Sequence, residues 1–459
     1  MAQSIGLNRR AFLRQAGITA VAGAVGRGAA VDAVDAVALA SPAGASPAGG
    51  KYDFDTPYSR IGTDCTKWDR QIALYGKDHI DVGMGIADMD FKSAPCITKA
   101  LVERIQHENW GYLTIPQSHV DAIINWNKRR YNQEIKPEWI IHSPSVHPAI
   151  LSVLRVFSPP GSKVIVQSPV YNAFYTDITR VGCVAEENPL KLVNGRYQMD
   201  FEDLERRIDH DTHSMILCNP QNPTGNVWSR EDLARVGEIC TRRRVVVLAD
   251  EVHCDFVMKG QKYTPYASLD NDAVVMNSIT FKSPGKTFNL PAMKCAYMFS
   301  RNLAYLDRIR KGGHREDLNT LGVVAQRAAF NEGDDWVDQL VPYIDGNQEF
   351  VQSYLTANAP LIKHIKAEGT YLAWIDVSGL SKKLDAQAQA EAAMKAKPGT
   401  KVTSDDIVSR WLVEHARVHM NPGSDYGRGG QGRMRMNIGT SRKTLELALS
   451  NMAKATKNL

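Results

Sequence analysis

The chain has 459 residues, of which 43% are hydrophobic and 23% charged, so it can bury a large core and is expected to form two domains. Its formal net charge of +5 is small for this length and no basic run exceeds three residues, so the charge pattern does not indicate nucleic-acid binding. The seven cysteines include no Cys-x-x-Cys pair, which argues against a zinc or thioredoxin-type site, and no metal site is expected.

The first forty residues have the layout of a targeting peptide. Asn8–Arg14 contains a twin-arginine pattern, a short and weakly apolar stretch follows, and Ala38–Ala40 offers a small-residue cleavage site. The apolar stretch is too short to span a membrane. We therefore predict a signal peptide over residues 1–40, a flexible tether over 41–51, and export of the folded protein by the twin-arginine machinery to the periplasm or the exterior. The alternative is a disordered basic tail.

Four apolar runs are predicted to be buried strands. Each is followed by turn-forming, polar or aromatic residues. The runs are Lys163–Gln167, Ser214–Cys218, Arg244–Ala249 and Ala273–Met276, and the segments that follow them are Ser168–Tyr171, Asn219–Gly225, Asp250–His253 and Ser283–Asn289. In an open parallel sheet, ligands bind at the carboxyl ends of the strands. The sequence therefore predicts one ligand site assembled from these four segments.

Lys286 lies in the last of these segments, with Ser283 three residues before it. A lysine in a loop is usually a solvated charge, because lysine is among the least buried residues. At the end of a buried strand, however, its amine can hold an aldehyde cofactor covalently while the serine hydroxyl binds a phosphate. The three upstream segments favour this second interpretation.

Taken in order, these motifs resemble those of the fold-type I, aspartate-aminotransferase-like superfamily of pyridoxal 5'-phosphate (PLP) enzymes. The motifs are Asn219–Gly225 (Asn-Pro-x-Asn-Pro-Thr-Gly), Asp250–His253 (Asp-Glu-x-His) and Ser283–Asn289 (Ser-x-x-Lys-Thr-Phe-Asn). Further stretches resemble the cystathionine β-lyase branch, which includes the maltose-regulon modulator: Ala87–Phe91, Gly111–Tyr112, Pro169–Phe174, Gly369–Trp374 and Arg435–Asn437. The resemblance covers nearly all of the chain after residue 52.

The resemblance implies an α/β fold with two domains. Residues 91–330 would form a large PLP-binding domain, in which helices sandwich a mainly parallel sheet, and residues 331–459 a smaller α+β C-terminal domain. The segment 52–90 would join the small domain or wrap the partner. The active site would lie between the domains and at the interface of a homodimer with shared sites.

The resemblance also assigns roles around the cofactor ring. Lys286 would anchor PLP and then act as general base on the substrate Cα–H, and Asp250 would pair with the pyridine nitrogen. Tyr171 would stack on the ring, and Asn222 would donate to the ring 3'-oxygen with His253 nearby. Simpler roles exist for each of these residues. Asp250 could be a helix N-cap, Asn222 a turn residue, Tyr171 a packing residue and His253 a structural histidine.

The phosphate is expected to be bound from several places. Ser283 offers a hydroxyl, and Lys294 stands where many relatives carry an arginine, which would bind in a planar bidentate manner that lysine lacks. Ser145 and Val146 should begin a helix whose first amides face the phosphate. Tyr112 resembles a tyrosine that reaches the phosphate of the partner subunit's cofactor, so each complete site would need a dimer.

The substrate is expected to be an amino acid bound through its α-carboxylate. Arg435 would bind that carboxylate with its planar guanidinium, next to Asn222. Arg433 is the alternative candidate, because it points to the same face of the strand. We further hypothesise that His314 and Arg315 reach a partner's pocket, where Arg315 would bind a distal carboxylate of the substrate.

Three departures from the branch pattern fall near the predicted pocket. Gly285 replaces a serine, the loop Ser143–His147 has serine and histidine where relatives tend to have glycine and an aliphatic residue, and Gly83–Gly85 replaces a more aromatic segment. The reaction favoured by the branch is carbon–sulfur β-elimination on cystathionine-like or cysteine-conjugate amino acids, which gives pyruvate, ammonia and a thiol. The alternatives are an aminotransferase and, less favoured, a PLP-fold regulatory or binding protein.

Overall fold

The computed structural model describes residues 52–457 and 459, and the predicted signal peptide and tether lie outside this part of the chain. The described residues contain fourteen strands of two to seven residues. These are β1 (Val82–Gly83), β2 (Ile140–Ser143), β3 (Lys163–Val166), β4 (Val184–Glu187), β5 (Lys191–Val193), β6 (Arg196–Gln198), β7 (Thr212–Cys218), β8 (Val246–Asp250), β9 (Ser278–Lys282), β10 (Ala296–Phe299), β11 (Leu372–Asp376), β12 (Val418–His419), β13 (Asn421–Pro422) and β14 (Arg433–Asn437).

Seven of these strands form a mainly parallel sheet in the order β2-β10-β9-β8-β7-β3-β4. The five strands from β9 to β4 are parallel, whereas β10 runs antiparallel to both of its neighbours. Strands β7, β8 and β9 are buried along almost their whole length, as expected when helices cover both faces of a sheet. The predicted α/β class is thereby confirmed.

The helices connect the strands and cover the sheet. The α-helices are Asp69–Tyr75, Pro95–Ile105, Gln117–Tyr131, Val146–Phe157, Ala173–Arg180, Phe201–Arg207, Arg230–Arg242, Asp272–Met276, Pro284–Thr287, Leu303–Lys311, Thr320–Glu332, Asp334–Asn358, Ser378–Lys383, Ala386–Ala396, Ser404–Trp411 and Arg442–Lys457. Short 3₁₀ turns occupy Lys77–His79, Pro137–Trp139, Tyr266–Ser268, Pro291–Met293 and Gly423–Tyr426, and a π-helical turn occupies Leu412–Ala416.

Local sequence signals explain where several helices begin. Ser229 accepts a hydrogen bond from the backbone N–H of Asp232 at the start of helix Arg230–Arg242. Thr403 and Asp406 form a reciprocal capping box at the start of helix Ser404–Trp411. Helix Val146–Phe157 buries five apolar residues along one face, because they recur at helical spacing and pack on the sheet: Ala149, Ile150, Val153, Leu154 and Phe157.

A second, smaller sheet follows the 25-residue helix Asp334–Asn358. It has three strands in the order β11-β14-β13, with Trp374 on β11 opposite Arg435 on β14. The segment before residue 91 returns to this later part of the chain, since β1 pairs in parallel with β12. The Phe54 ring also packs against the Trp336 ring, with centroids 5.9 Å apart.

One predicted strand is wrong. Ala273–Met276 belongs to the short helix Asp272–Met276, which begins where the Asn271 side chain accepts hydrogen bonds from two backbone N–H groups. The strand that leads to Lys286 is β9, two residues further on. Its sequence, Ser-Ile-Thr-Phe-Lys, alternates polar and apolar side chains, yet all five residues are buried. The apolar pattern missed β9 because its polar side chains are buried in the interior.

The described residues contain no helix that is both long and apolar enough to cross a bilayer. All seven cysteines are free, and six of them are buried. Burial raises the pKa of the Cys254 and Cys295 thiols to about 12, so both are protonated at neutral pH.

Candidate active site

The carboxyl ends of β3, β7, β8 and β9 meet at one edge of the sheet, beside a cavity of about 220 Å³. Nine of the twelve predicted site residues line this cavity: Ser145, Val146, Tyr171, Asn222, Asp250, His253, Ser283, Lys286 and Lys294. Parallel strands have their carboxyl ends at the same edge of a sheet, so residues at or just after those ends lie close together. These residues are Asp250, at the end of β8, and Tyr171, Asn222 and Lys286, which follow the other strands.

Lys286 projects into the cavity from the short helix Pro284–Thr287. Its Nζ donates a hydrogen bond of 2.7 Å to the carbonyl oxygen of Ala87. The Tyr371 hydroxyl donates to the same oxygen at 2.9 Å. Burial, reinforced by the positive charge of Arg435, lowers the pKa of Lys286 to about 8. About a tenth of the amine is therefore neutral at pH 7, far more than for an ordinary lysine, and the neutral amine is the form that a covalent anchor and general base requires.

Asp250 is the last residue of β8 and is fully buried. Burial raises the pKa of its carboxyl to about 6, whereas the backbone N–H of Val252, 3.2 Å away, and the charges of His147 and Lys286 oppose that rise. A carboxylate that is buried to this extent needs a cationic or hydrogen-bonding partner. The protonated nitrogen of a pyridine ring would supply one.

Arg435 is 3% exposed and connects β14 to the cavity through Asn222. Its Nη1 donates to Asn222 Oδ1 at 3.2 Å and its Nη2 to the carbonyl oxygen of Gly85 at 2.8 Å. The bond to Oδ1 orients the Asn222 amide so that its nitrogen is free to donate into the cavity. Arg433, the predicted alternative, instead lies 3.4 Å from the Asp376 carboxylate. The structure thus favours Arg435 as the carboxylate clamp.

His253 is buried on the cavity wall, and neither of its ring nitrogens has a partner among the described residues. Burial and the nearby charges of Lys286 and Arg435 hold its pKa well below the usual value, so the ring is neutral. The Nε of Arg435 also lacks a partner within the described chain. Buried polar atoms of this kind need a bonding group from outside the chain, because leaving them unpaired is costly.

Other groups on the cavity wall are suited to a phosphate. Helix Val146–Phe157 begins there, with Ser145 as its N-cap residue, and its first amide groups create a local positive potential. Lys294 adds a positive charge in a left-handed backbone conformation (φ 53°). The Ser283 hydroxyl caps its own helix by accepting from the Gly285 N–H at 2.9 Å, and it donates to the Cys295 carbonyl oxygen at 2.9 Å.

The residues present therefore fit PLP at each of its polar groups. Lys286 would hold the aldehyde carbon, Asp250 the ring nitrogen, and Asn222 with His253 the ring oxygen. The helix at Val146 would hold the phosphate together with Ser145, Ser283 and Lys294, and Tyr171 would cover the ring face.

Of the three predicted residues that do not line this cavity, Arg435 contacts the lining residue Asn222, and the other two do not join the cavity within the chain. Tyr112 is fully exposed and lines a separate surface depression near Arg104 and Arg327. Arg315 is also exposed, while its neighbour His314 bonds to the carbonyl oxygen of His142 at 2.7 Å. Their reach into a partner's site stays a prediction.

Other parts of the site were missed by the sequence reasoning. Val252, Leu290 and Pro291 line the cavity without any chemical signature that would single them out. The sequence analysis noted the Ala87–Phe91 stretch but not the role of the Ala87 carbonyl. A backbone acceptor has no side-chain signal by which the sequence could reveal it. His147 was noted only as a departure from the branch pattern, and it also lines the cavity.

The fold and the cavity are those of a PLP-dependent enzyme, and comparison with known proteins confirms this class. Residues 79–452 match the family described as aminotransferase class I and II, and the chain belongs to that family. The solved structure of cystalysin from Treponema denticola, which contains PLP, superposes with a TM-score of 0.80 at 28% identity, covering 89% of this chain and 99% of cystalysin.

More specific similarity is to the cystathionine β-lyase branch. Cystathionine beta-lyase PatB of Bacillus subtilis (strain 168) is 37% identical over 411 residues, which cover 88% of this chain and 99% of PatB. Protein MalY of Escherichia coli (strain K12) is 28% identical over 412 residues, with the same two coverages. The predicted branch is confirmed by these similarities.

Proposed function

We propose that the protein is a PLP-dependent carbon–sulfur β-lyase that acts on cystathionine-like or cysteine-conjugate amino acids. The proposal is carried by one observation: the buried amine of Lys286, the carboxylate of Asp250 and the guanidinium of Arg435 occur together in a chain that is 37% identical to PatB over 411 residues. The products would be pyruvate, ammonia and a thiol.

The side chains divide the work of the reaction. When bound, PLP supplies an aldehyde that joins the substrate amine and a ring that accepts the electrons of the Cα–H bond. Arg435 binds the substrate α-carboxylate and thereby directs the Cα–H bond towards Lys286. The neutral amine of Lys286 removes the Cα proton. Asp250 keeps a positive charge on the ring nitrogen, and Asn222 and His253 hold the ring oxygen.

The decisive assay is pyruvate formation from cystathionine or a cysteine conjugate without any added keto acid. A lyase forms pyruvate continuously under these conditions, because elimination regenerates the starting form of the enzyme. Lys286→Ala is the matched control, since it removes the base and leaves the remainder of the cavity unchanged. Absence of pyruvate from the wild-type protein across several such substrates would contradict the proposal.

An aminotransferase is the second candidate, because the family is described by that activity and Lys286 would serve both reactions. An aminotransferase would convert an amino acid only when a keto acid accepts the amine. Turnover that requires a keto acid, together with accumulation of the pyridoxamine form in its absence, would favour it over the lyase.

We also propose that the protein works as a homodimer with shared sites. Support comes from Tyr112, Trp110, Val102 and Ile105, which are exposed at 51% or more along one continuous stretch of chain and would be covered by a second subunit. Analytical ultracentrifugation should give twice the monomer mass. In heterodimers of Lys286→Ala and Tyr112→Phe protomers, restored cofactor affinity in one of the two sites would support a shared site.

Export is a further proposal, which rests on the twin-arginine pattern at Arg9 and Arg10 alone. The twin-arginine route carries folded proteins, so PLP could be acquired before export. Fractionation of cells that express the wild type and an Arg9→Lys/Arg10→Lys variant tests this. Equal cytoplasmic retention of both proteins would contradict it.

A further inference from the structure

The backbone of residues 85–90 passes beside Lys286, and side chains from distant parts of the chain hold it in place. Arg435 and Asn437 on β14 donate to three of its carbonyl oxygens at 2.5–2.8 Å, those of Gly85, Ile86 and Asp88. The carbonyl of Ala87 lies within this stretch and accepts from Lys286 Nζ at 2.7 Å. The position of this backbone therefore determines where the amine finds its acceptor.

Asn289 links this backbone to the turn that carries Lys286. Its Oδ1 accepts from the Met89 N–H and its Nδ2 donates to the Met89 carbonyl oxygen, both at 2.8 Å. An asparagine amide has both an acceptor and donors, so it can bond the two backbone groups of one residue. Met89 is fully buried, and buried backbone groups need partners. The Asn289 amide supplies both of them.

The turn that contains Asn289 is short and has a special backbone conformation. Asn289 is left-handed, with φ 56°, a region that asparagine tolerates better than most residues with a side chain. Its backbone N–H donates to the Lys286 carbonyl oxygen at 3.4 Å. Asn289 follows Lys286 by three positions, and Met89 follows Ala87 by two. Two short stretches of backbone, joined by the amide, thus set the distance between the amine and its acceptor.

The Ala87 carbonyl is also held from the smaller sheet. The Tyr371 hydroxyl donates to the same oxygen at 2.9 Å, and Tyr371 is fully buried immediately before β11. Tyr371 therefore fixes the carbonyl relative to the smaller sheet. Asn289 fixes it relative to the helix Pro284–Thr287, which carries Lys286.

We propose that Asn289 is a positioning residue for the general base, because its pairing with Met89 holds the Ala87 carbonyl against Lys286 and thereby orients the free amine. A neutral primary amine has two N–H bonds and one lone pair. When one N–H is donated to a fixed carbonyl, the lone pair that takes the Cα proton is confined to fewer directions, which favours proton transfer. Asn289 does not line the cavity and acts through Ala87. The inference rests on the proposed function, since it concerns the same base.

The first test needs no substrate. It measures the rate of PLP capture by the full-length apo-protein against pH, by stopped-flow absorbance, in the wild type and in Asn289→Gly. Glycine adopts the left-handed backbone freely, so the exchange removes only the amide. A carbonyl that accepts from the ammonium group stabilises the charged amine, so loss of this contact should lower the pKa of Lys286. We expect the midpoint of capture to fall from near 8 by about one pH unit.

Asn132→Gly is the matched control. Asn132 also has a left-handed backbone (φ 50°), and it is exposed at the end of helix Gln117–Tyr131. The same exchange there should leave the midpoint unchanged. A midpoint in Asn289→Gly that equals or exceeds that of the wild type would overturn the proposal, even if the unfolding temperature fell, because a merely structural role does not change the titration. If Asn289→Gly does not fold, Asn289→Ser decides, since its shorter side chain cannot bond both groups of Met89.

The second readout is steady-state pyruvate formation at saturating PLP. A misplaced base slows proton transfer but leaves the α-carboxylate with Arg435, so in Asn289→Gly kcat should fall about 10- to 100-fold while KM changes less than about threefold. A kcat within about twofold of the wild type would also overturn the proposal. The capture experiment decides alone if the wild type forms no pyruvate. An unshifted midpoint in a protein that forms pyruvate would refute only the role of Asn289.

Discussion

The assignment of Arg435 as the substrate clamp leads to a quantitative prediction with an internal control. Arg435 and Arg433 are two residues apart on β14 and point to the same side of the sheet. Arg435 is buried against Asn222 and Gly85, whereas Arg433 is 21% exposed and pairs with Asp376. Exchanging each for glutamine removes one charge from the same strand at nearly the same place.

The expected magnitude follows from the contacts that each arginine makes. A bidentate guanidinium–carboxylate contact has two charge-assisted hydrogen bonds, each contributing about 1.5–3 kcal/mol. Arg435→Gln should therefore raise the activation free energy of β-elimination by about 3–6 kcal/mol. This increase corresponds to a loss in kcat/KM on the order of 10²- to 10⁴-fold. Arg433→Gln removes a partly exposed ion pair with Asp376, and such pairs contribute about 1 kcal/mol or less to stability. Because Arg433 is not expected to contact the substrate, kcat/KM should fall less than about fivefold.

The assay is steady-state pyruvate formation with the bound cofactor quantified by its absorbance, so that a loss of PLP is not mistaken for a loss of substrate binding. Both variants should retain PLP, because neither arginine lines the cofactor cavity itself. The reasoning is refuted if Arg433→Gln loses as much activity as Arg435→Gln, or if Arg435→Gln stays close to the wild type.

Lys286→Ala should abolish turnover. Borohydride reduction of the wild type followed by peptide mapping should find the cofactor on Lys286. A label on another lysine would contradict the assignment. Capture of PLP by the apo-protein should accelerate with pH, with a midpoint near 8, because the neutral Lys286 amine is the nucleophile. In Arg435→Gln, loss of a nearby positive charge should move this midpoint upwards in stopped-flow absorbance, and a downward shift would show that the sign is wrong. Lys282→Met leaves the buried carboxylate of Glu251, 3.6 Å away, without its cation and should cost about 3–5 kcal/mol in denaturant unfolding. The double variant Lys282→Met/Glu251→Gln should lose less, and a single variant as stable as the wild type would exclude a role for the pair.

The position of residues that follow strands could be predicted, because the signals that mark the end of a strand lie in the neighbouring sequence. An apolar run followed by turn residues marks a strand end, and the carboxyl ends of parallel strands share one edge. Tyr171, Asn222 and Asp250 were found in this way, and each lines the cavity. The strand before Lys286 was misplaced because β9 buries Ser278, Thr280 and Lys282, which an apolar pattern does not register. Tyr112 and Arg315 stay predictions, since their proposed partners belong to a second subunit.

The amino-acid sequence alone was enough to predict the class of enzyme and the cofactor, and it predicts Lys286 as the anchoring lysine, because each depends on a short ordered motif whose chemistry is local. Three contacts come from the folding of distant segments onto one another: Arg435 meets Asn222, the carbonyl of Ala87 meets Lys286, and His147 pairs with Asp177. These contacts join segments that are 30 to more than 200 residues apart. Such contacts depend on how the helices and sheets pack, and neither periodicity nor local propensity encodes that packing.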